Sequence, residues 1–432
     1  AEFNFGYNGS ENFTPKNRYG FFPSVGLGWV ISNESFFEPL TNVIQYLKVR
    51  GTWGQVGNSQ ISGRRFAYLA TVTDSSSTSY TFGKNMDQNY GTTAIDEYAV
   101  DVTWEVADKT DIGVDMRLLN NKLNLQFDYF KESREGIYLR RSSIPSYVGM
   151  INNPYGNIGK VENKGFELSV NYANSWGGDW SLSLMGNYSF NRNKVLEDDS
   201  TVVYPWQNTI GNKVGQRFGL VALGLFESYG EIAASPVQTG DTRPGDIKYK
   251  DINGDGKIDE YDKVPIGWGS VPEIMYGFGF SVGWKNLSLT AMFQGAAHVD
   301  AMLSGEGVLP FSQGSSRGNL LSNITDRWTE ENPRQNAFYP RLSIGNINMN
   351  YEESTWWLKD TDYLRLKNIE LSYRLPDHWM KRIHLDNARI FIQGVNLLTF
   401  SSFKIWDVEL GDGRGARYPN IASVSLGVNF NF

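Results

Sequence analysis

Among its 432 residues the chain has no cysteine. That excludes disulfides and thiolate metal sites, and it is easy to reconcile with an oxidising compartment. Histidine is nearly as scarce: His298, His378 and His384 are the only three, and none stands in a zinc-binding spacing or beside a nucleophile motif. They read as structural or solvated side chains, and no enzyme is expected. Long apolar runs are missing as well. The longest, Phe218 to Phe226, falls far short of the roughly 20 residues a membrane helix needs, so a helical membrane protein is excluded. Positive charge is in deficit, with 40 Lys and Arg against 47 Asp and Glu and a net charge of −7. Without a basic stripe, nucleic acid is not an expected partner.

What the chain does have is alternation. It is 40% hydrophobic and 14% aromatic with 45 Gly, yet its mean hydropathy is below zero. The last stretch shows why. Val424, Leu426, Val428, Phe430 and Phe432 alternate with Ser423, Ser425, Gly427, Asn429 and Asn431, giving a strand with one wholly apolar face and one small polar face. The same pattern recurs along most of the chain with no helical layer to cover it. A closed barrel in a bilayer satisfies both faces, because lipid covers the outside and closure leaves no unpaired edge. The fold class is therefore all-β, a transmembrane antiparallel β-barrel with long extracellular loops. A final strand ending on the aromatic Phe432 resembles the closing strand of bacterial outer-membrane barrels.

Taken in order, Val25, Leu27 and Trp29 alternate with small residues, and Leu47, Val49, Gly51 and Trp53 alternate with Lys48, Arg50, Thr52 and Gly54. Charge on a lipid face costs about 2–4 kcal/mol at the midplane, so Lys48 and Arg50 should face a lumen. Three hairpins follow, turning at Asn120-Asn121, Gly177-Gly178 and Lys285-Asn286. Other connections are long and polar: residues 72–98, 192–215, 227–272 and 297–355. Tight turns on one rim and long loops on the other match an outer-membrane barrel. The pattern predicts about fourteen strands. Trp29, Trp53, Trp180 and Trp284 lie near strand ends, as an interfacial girdle requires, although ordinary apolar packing explains each one singly as well.

One long connection carries a motif. Asp251, Asn253, Asp255, Asp259 and Asp262 occupy positions 1, 3, 5, 9 and 12 of a calcium loop of the EF-hand kind, with Gly256 at the sharp turn and Lys257 at position 7, which offers a backbone carbonyl. Asp262 stands where Glu usually supplies both oxygens. The flanks are not amphipathic helices, so the expected role is structural, a calcium ion pinning an extracellular loop. The competing reading is a pair of Asn-Gly and Asp-Gly turns solvated by carboxylates.

Several stretches together resemble the SusC/RagA branch of TonB-dependent transporters. They are Val102 to Glu105 running into Thr110 to Asp115, Asn157 to Glu167, Gly245 to Asp251, Asp326 to Trp328, Asn332-Pro333, Tyr339 to Arg341, Tyr363 to Ile369 and Gly394 to Phe400. The resemblance implies a plugged barrel of about 22 strands in the outer membrane of Bacteroidetes. It further implies a SusD-like surface lipoprotein as partner, energy from the TonB complex, and import of glycans or oligopeptides. The chain opens on Ala1 already in strand alternation. We expect it to be the C-terminal part of one such barrel domain, residues 1–432, with the N-terminal plug and early strands outside it. Outer-membrane lipid is the remaining expected contact. Sugar rings stack on indoles, and Trp206, in the less family-like stretch Val203 to Gln207, is the expected substrate contact. A passive porin and a calcium-stabilised adhesin or enzyme carried on a barrel are the alternatives.

Overall fold

The computed structural model describes residues 1–61, 63–86, 88–311, 320–345, 347–382 and 385–431; Phe432 and His384 lie outside them. Among the described residues twelve strands join in chain order into one antiparallel sheet. They are β1 (Glu2–Gly9), β2 (Tyr19–Val30), β3 (Ile44–Asn58), β4 (Glu105–Leu118), β5 (Leu123–Arg140) and β6 (Tyr155–Trp176). The sheet continues through β7 (Trp180–Glu197), β8 (Ile274–Trp284), β9 (Leu287–Ala297), β10 (Tyr363–Arg374), β11 (Asn387–Ser401) and β12 (Ser423–Asn431). Both end strands are paired on one side only, so the sheet is a partial barrel wall.

Register keeps the two faces separate. Val49 stands opposite Val114, Val114 opposite Phe127, Phe127 opposite Leu168, and Leu168 opposite Tyr188. Farther along, Val282, Leu289, Leu371, Ile392 and Leu426 form the same kind of row across five strands. A slip of one residue anywhere would turn a strand's apolar side chains to the wrong face. Half of these residues are exposed, namely Phe127, Leu168, Leu371, Ile392 and Leu426, as a lipid-facing surface allows.

The three tight hairpins form where expected. Leu119, Asn120 and Asn121 are consecutive left-handed residues, with φ of 55°, 58° and 64°. Asn tolerates that region because its short amide can bond locally. Because each strand pairs with the next, alternate connections share a rim. The described residues of connections 31–43, 119–122, 177–179, 285–286 and 375–386 lie at one rim, and those of the long connections 59–104, 198–273 and 298–362 lie at the other. His378 falls in the short helix Asp377–Arg382 of the first rim.

The main sheet has twelve strands where about fourteen were expected. Residues read as a long polar connection contain two more strands, Thr71–Phe82 and Gln88–Glu97, which pair with each other outside the main sheet. Their Ser- and Thr-rich alternation has no apolar face, so the period-two signal that marks wall strands is absent.

Candidate functional site

The long connections fold into a cap with a hydrophobic core of its own. Leu220, Ile247, Tyr249, Leu303, Tyr339 and Trp357 are buried in it, drawn from connections far apart in sequence. Trp328 is buried there too, and Trp356 packs against the edge, so both serve loop packing.

At the centre sits Asp246, 1% exposed. Arg341 grips it with two parallel bonds, Nε to Oδ1 and Nη2 to Oδ2, both 2.9 Å. Asn350 Nδ2 donates to Oδ1 at 2.8 Å, Asn348 Nδ2 at 3.2 Å, and the Arg243 amide donates to Oδ2 at 2.8 Å. A carboxylate this deep is tolerable only with its lone pairs filled and a cation beside it. Gly245 lets the chain reach it: φ is +86°, and a Cβ there would lie 2.1 Å from the Trp328 ring. Thus Gly245 to Asp251, Asp326 to Trp328 and Tyr339 to Arg341, which carry the family resemblance, meet at one point. Their pairing could not be read from spacing, since nearly a hundred residues separate Asp246 from Arg341. Nearby, Lys359 donates to the Trp356 carbonyl at 2.7 Å and lies 5.5 Å from the Phe338 ring centroid. Burial pulls its pKa below the usual lysine value.

The acidic loop follows directly on this network. Asp251 accepts from the Gly254 amide at 2.6 Å and from the Gly256 amide at 2.9 Å. Asn253 accepts from the Asp255 amide at 3.0 Å, Asp255 from the Lys257 amide at 2.9 Å, and Asp259 from the Tyr261 amide at 2.8 Å. Gly254 and Gly256 take φ of 76° and 82°, which lets the chain double back. Asp262, fully buried, closes the loop by accepting from the Ile252 amide at 2.8 Å and the Asp259 amide at 2.9 Å. Positions 1, 3, 5, 9 and 12 are thus gathered into one compact loop. In the rotamers they occupy, no three His, Cys, Asp or Glu side chains among the described residues form a group able to hold a metal ion. The oxygens are shared with amides, each keeping a further lone pair.

Trp206 lies against the far end of this loop. Its ring stacks on Tyr204 at 4.6 Å, its indole N–H donates to the Tyr261 carbonyl at 2.8 Å, and the neighbouring Gln207 amide donates to the Glu260 carbonyl at 3.0 Å. The side chain is half-buried. Beside the loop opens a cleft of about 320 Å³, walled by Ile258, Asp259, Glu260 and Lys263 on one side and Ile347, Met349 and Glu352 on the other.

Below the cap, Lys48 and Arg50 lie on the polar face of the sheet, opposite the Val49 and Val114 row. Arg50 is shared by three carboxylates: Asp111 at 2.9 Å, Asp115 at 3.5 Å, and Asp128. A cation this well matched belongs on a watered surface and not against lipid.

The family model described as TonB dependent receptor-like, beta-barrel matches residues 2–397. The chain belongs to this family. Its membership puts the wall strands in the bacterial outer membrane, with the capped rim as the loop side of a receptor barrel. TonB-dependent receptor P3 of Formosa agariphila is 29% identical over 98% of this chain and 43% of its own length. TonB-dependent receptor SusC of Bacteroides thetaiotaomicron is 27% identical over 99% of this chain and 41% of its own. The receptor segment therefore spans less than half the length of the curated relatives it matches. Among solved structures, the RagAB peptide transporter superposes with a TM-score of 0.73 at 22% identity, covering 100% of this chain and 45% of that one. That likeness concerns the fold.

Proposed function

We propose that this chain supplies wall strands and the extracellular cap of an energised outer-membrane importer of glycans or oligopeptides. The observation that carries the reading is the combination of a lipid-facing wall with a densely packed cap confined to one rim. A passive pore has no need of a buried-charge core in its loops, whereas a capture device must hold its loops in a defined shape. The relatives' names support receptor function, and one structural neighbour is titled a peptide transporter. In this reading a SusD-like lipoprotein meets the cap, a plug and early strands complete the barrel, and the TonB complex supplies energy. No bond in the cargo is made or broken. Uptake of labelled oligosaccharides and oligopeptides by cells with and without the gene tests it. Uptake should need the gene and stop when the proton gradient is dissipated. Gene-dependent uptake that survives dissipation would leave the passive porin, and surface adhesion without uptake would leave the adhesin.

Calcium is the ion proposed for the acidic loop, held by Asp251, Asn253, Asp255, Asp259 and Asp262 with the Lys257 carbonyl. Oxygen donors of this number and spacing suit a hard divalent cation. Calcium would lock the loop to Trp206 and to the cleft. Titrating calcium into the purified receptor should raise its melting temperature, and Asp251→Asn with Asp255→Asn should abolish that rise. An unchanged melt in the wild type rejects the ion. For Trp206 the proposal is stacking of cargo on the part of the ring that Tyr204 leaves uncovered. Trp206→Ala should weaken cargo binding by about tenfold, the scale of one lost aromatic contact, and unchanged affinity rejects the role.

A further inference from the structure

On the lipid-facing side of β5, β6 and β7 the apolar band has two sharp edges. Trp176 stands opposite Trp180, and Trp180 lies 6.0 Å from Trp284, at the rim of tight turns. Toward the capped rim the band ends on Tyr129, Phe166 and Phe190, of which Phe166 lies 5.8 Å from Phe190. From Trp180 to Phe190 the strand matches the span of about 9–11 residues that a tilted strand needs to cross a bilayer. The upper aromatic row therefore marks the outer-leaflet interface.

The next outward positions on those three strands are all cations. Lys131 is paired in register with Lys164, and Lys164 with Arg192. They share the face of the aromatic row, since the Arg192 guanidinium lies 5.4 Å from the centroid of the Phe190 ring. Lys194, exposed, stands one step higher opposite Glu162. Two carboxylates sit within the group. Glu162 bridges Lys131 at 2.8 Å and Lys164 at 3.4 Å. Glu273 is bound by Arg192 at 2.7 Å, but Lys213 also takes it at 3.2 Å, so it does not cancel the Arg192 charge alone. On the flanking strand, Asp108 is engaged by Gln55 at 2.9 Å. Like charges placed directly opposite in a sheet destabilise it. Three aligned cations at this one height call for more negative charge than the protein provides there.

We propose that this row binds the phosphate groups of an anionic lipid of the outer leaflet, with its acyl chains lying along the Tyr129, Phe166 and Phe190 surface below. The geometry commits to a lipid headgroup and not to a free anion, because the cations and an outward-facing aromatic row are stacked in the order headgroup and chain require. The inference rests on the outer-membrane placement of the wall and does not depend on which cargo is imported.

The test uses the receptor extracted from its native membrane in mild detergent and exchanged into nanodiscs. Binding of lipid A, of its dephosphorylated form and of phosphatidylcholine is measured by native mass spectrometry. The wild type should favour the phosphorylated lipid strongly. Each cation contributes about fivefold at a membrane surface, so Lys131→Gln, Lys164→Gln and Lys194→Gln together should weaken lipid A binding about a hundredfold and leave phosphatidylcholine unchanged. Should the triple variant fail to fold, the comparison of lipid A with its dephosphorylated form on the wild type decides alone. Equal binding of those two lipids overturns the proposal. So does full displacement by inorganic phosphate, which would indicate a free-anion site. Unchanged lipid retention in a folded variant that loses a co-purifying surface protein also overturns it, assigning the row to a protein contact. None of these outcomes bears on energised uptake, which is measured separately.

Discussion

Arg341→Met offers the sharpest test of how the cap is held. The substitution keeps much of the side-chain volume but strips the two bonds to Asp246. The carboxylate, 1% exposed, then keeps only the Arg243 amide and the amides of Asn348 and Asn350. Breaking a buried ion pair on one side costs about 3–5 kcal/mol, and the remaining donors hold the figure near the lower bound, about 3 kcal/mol. Hydrogen exchange reads this directly. Amides of residues 245–250 and 339–357 should exchange about a hundredfold faster if they open with the cap, while amides of the wall strands stay unchanged. Adding Asp246→Asn should return more than half of the loss, because the stranded charge is gone. If the double variant is no better than Arg341→Met, or if wall and cap amides respond alike, then the pair is not what organises the cap.

Three other consequences can be measured. Val170→Arg puts charge on the lipid face near mid-wall and should cost about 2–4 kcal/mol in equilibrium folding into bilayers, whereas Asn171→Arg, one residue on and facing the other way, should cost little. Gly245→Ala must place a methyl group at 2.1 Å from the Trp328 ring with φ at +86°. It should therefore open the cap by about 2 kcal/mol or more, seen as the same loss of amide protection. Lys359 supplies a pH test. Burial lowers its folded-state pKa below the usual lysine value, so the unfolded cap holds this proton more tightly. The resulting penalty is complete at neutral pH and fades as pH rises through the folded pKa toward the unfolded one. Wild-type melting should thus lose less, or gain more, between neutral pH and about pH 10 than Lys359→Met, which has no proton to release. Parallel pH profiles for the two would refute the assignment.

Much of the wall was legible in the sequence because lipid-facing strands obey a local rule. Alternation at period two assigns each side chain to a face without reference to any distant residue, so the hairpins at Asn120, Gly177 and Lys285, the outward apolar face of each strand and the inward Lys48 and Arg50 could be read directly. The close turns of the acidic loop were legible for the same reason, since its Asn-Gly and Asp-Gly pairs lie within twelve consecutive positions. The hairpin of residues 71–97 was not, because its strands lack an apolar face.

The long-range pairings within the cap lay beyond local reading. Asp246 and Arg341 stand in family-like stretches, but nothing local pairs them, and only the folding of two long connections onto one another creates a buried carboxylate and its clamp. Trp206 looked like a free loop aromatic, yet tertiary contact with Tyr204 and Tyr261 fixes where its ring lies. The cation row is intermediate: Lys131 and Arg192 follow an aromatic residue by two positions and Lys164 precedes one by two, but their alignment depends on strand register. Alternation determines which way a side chain faces; which residues it then meets is a matter of long-range pairing and packing, settled only when the chain closes on itself.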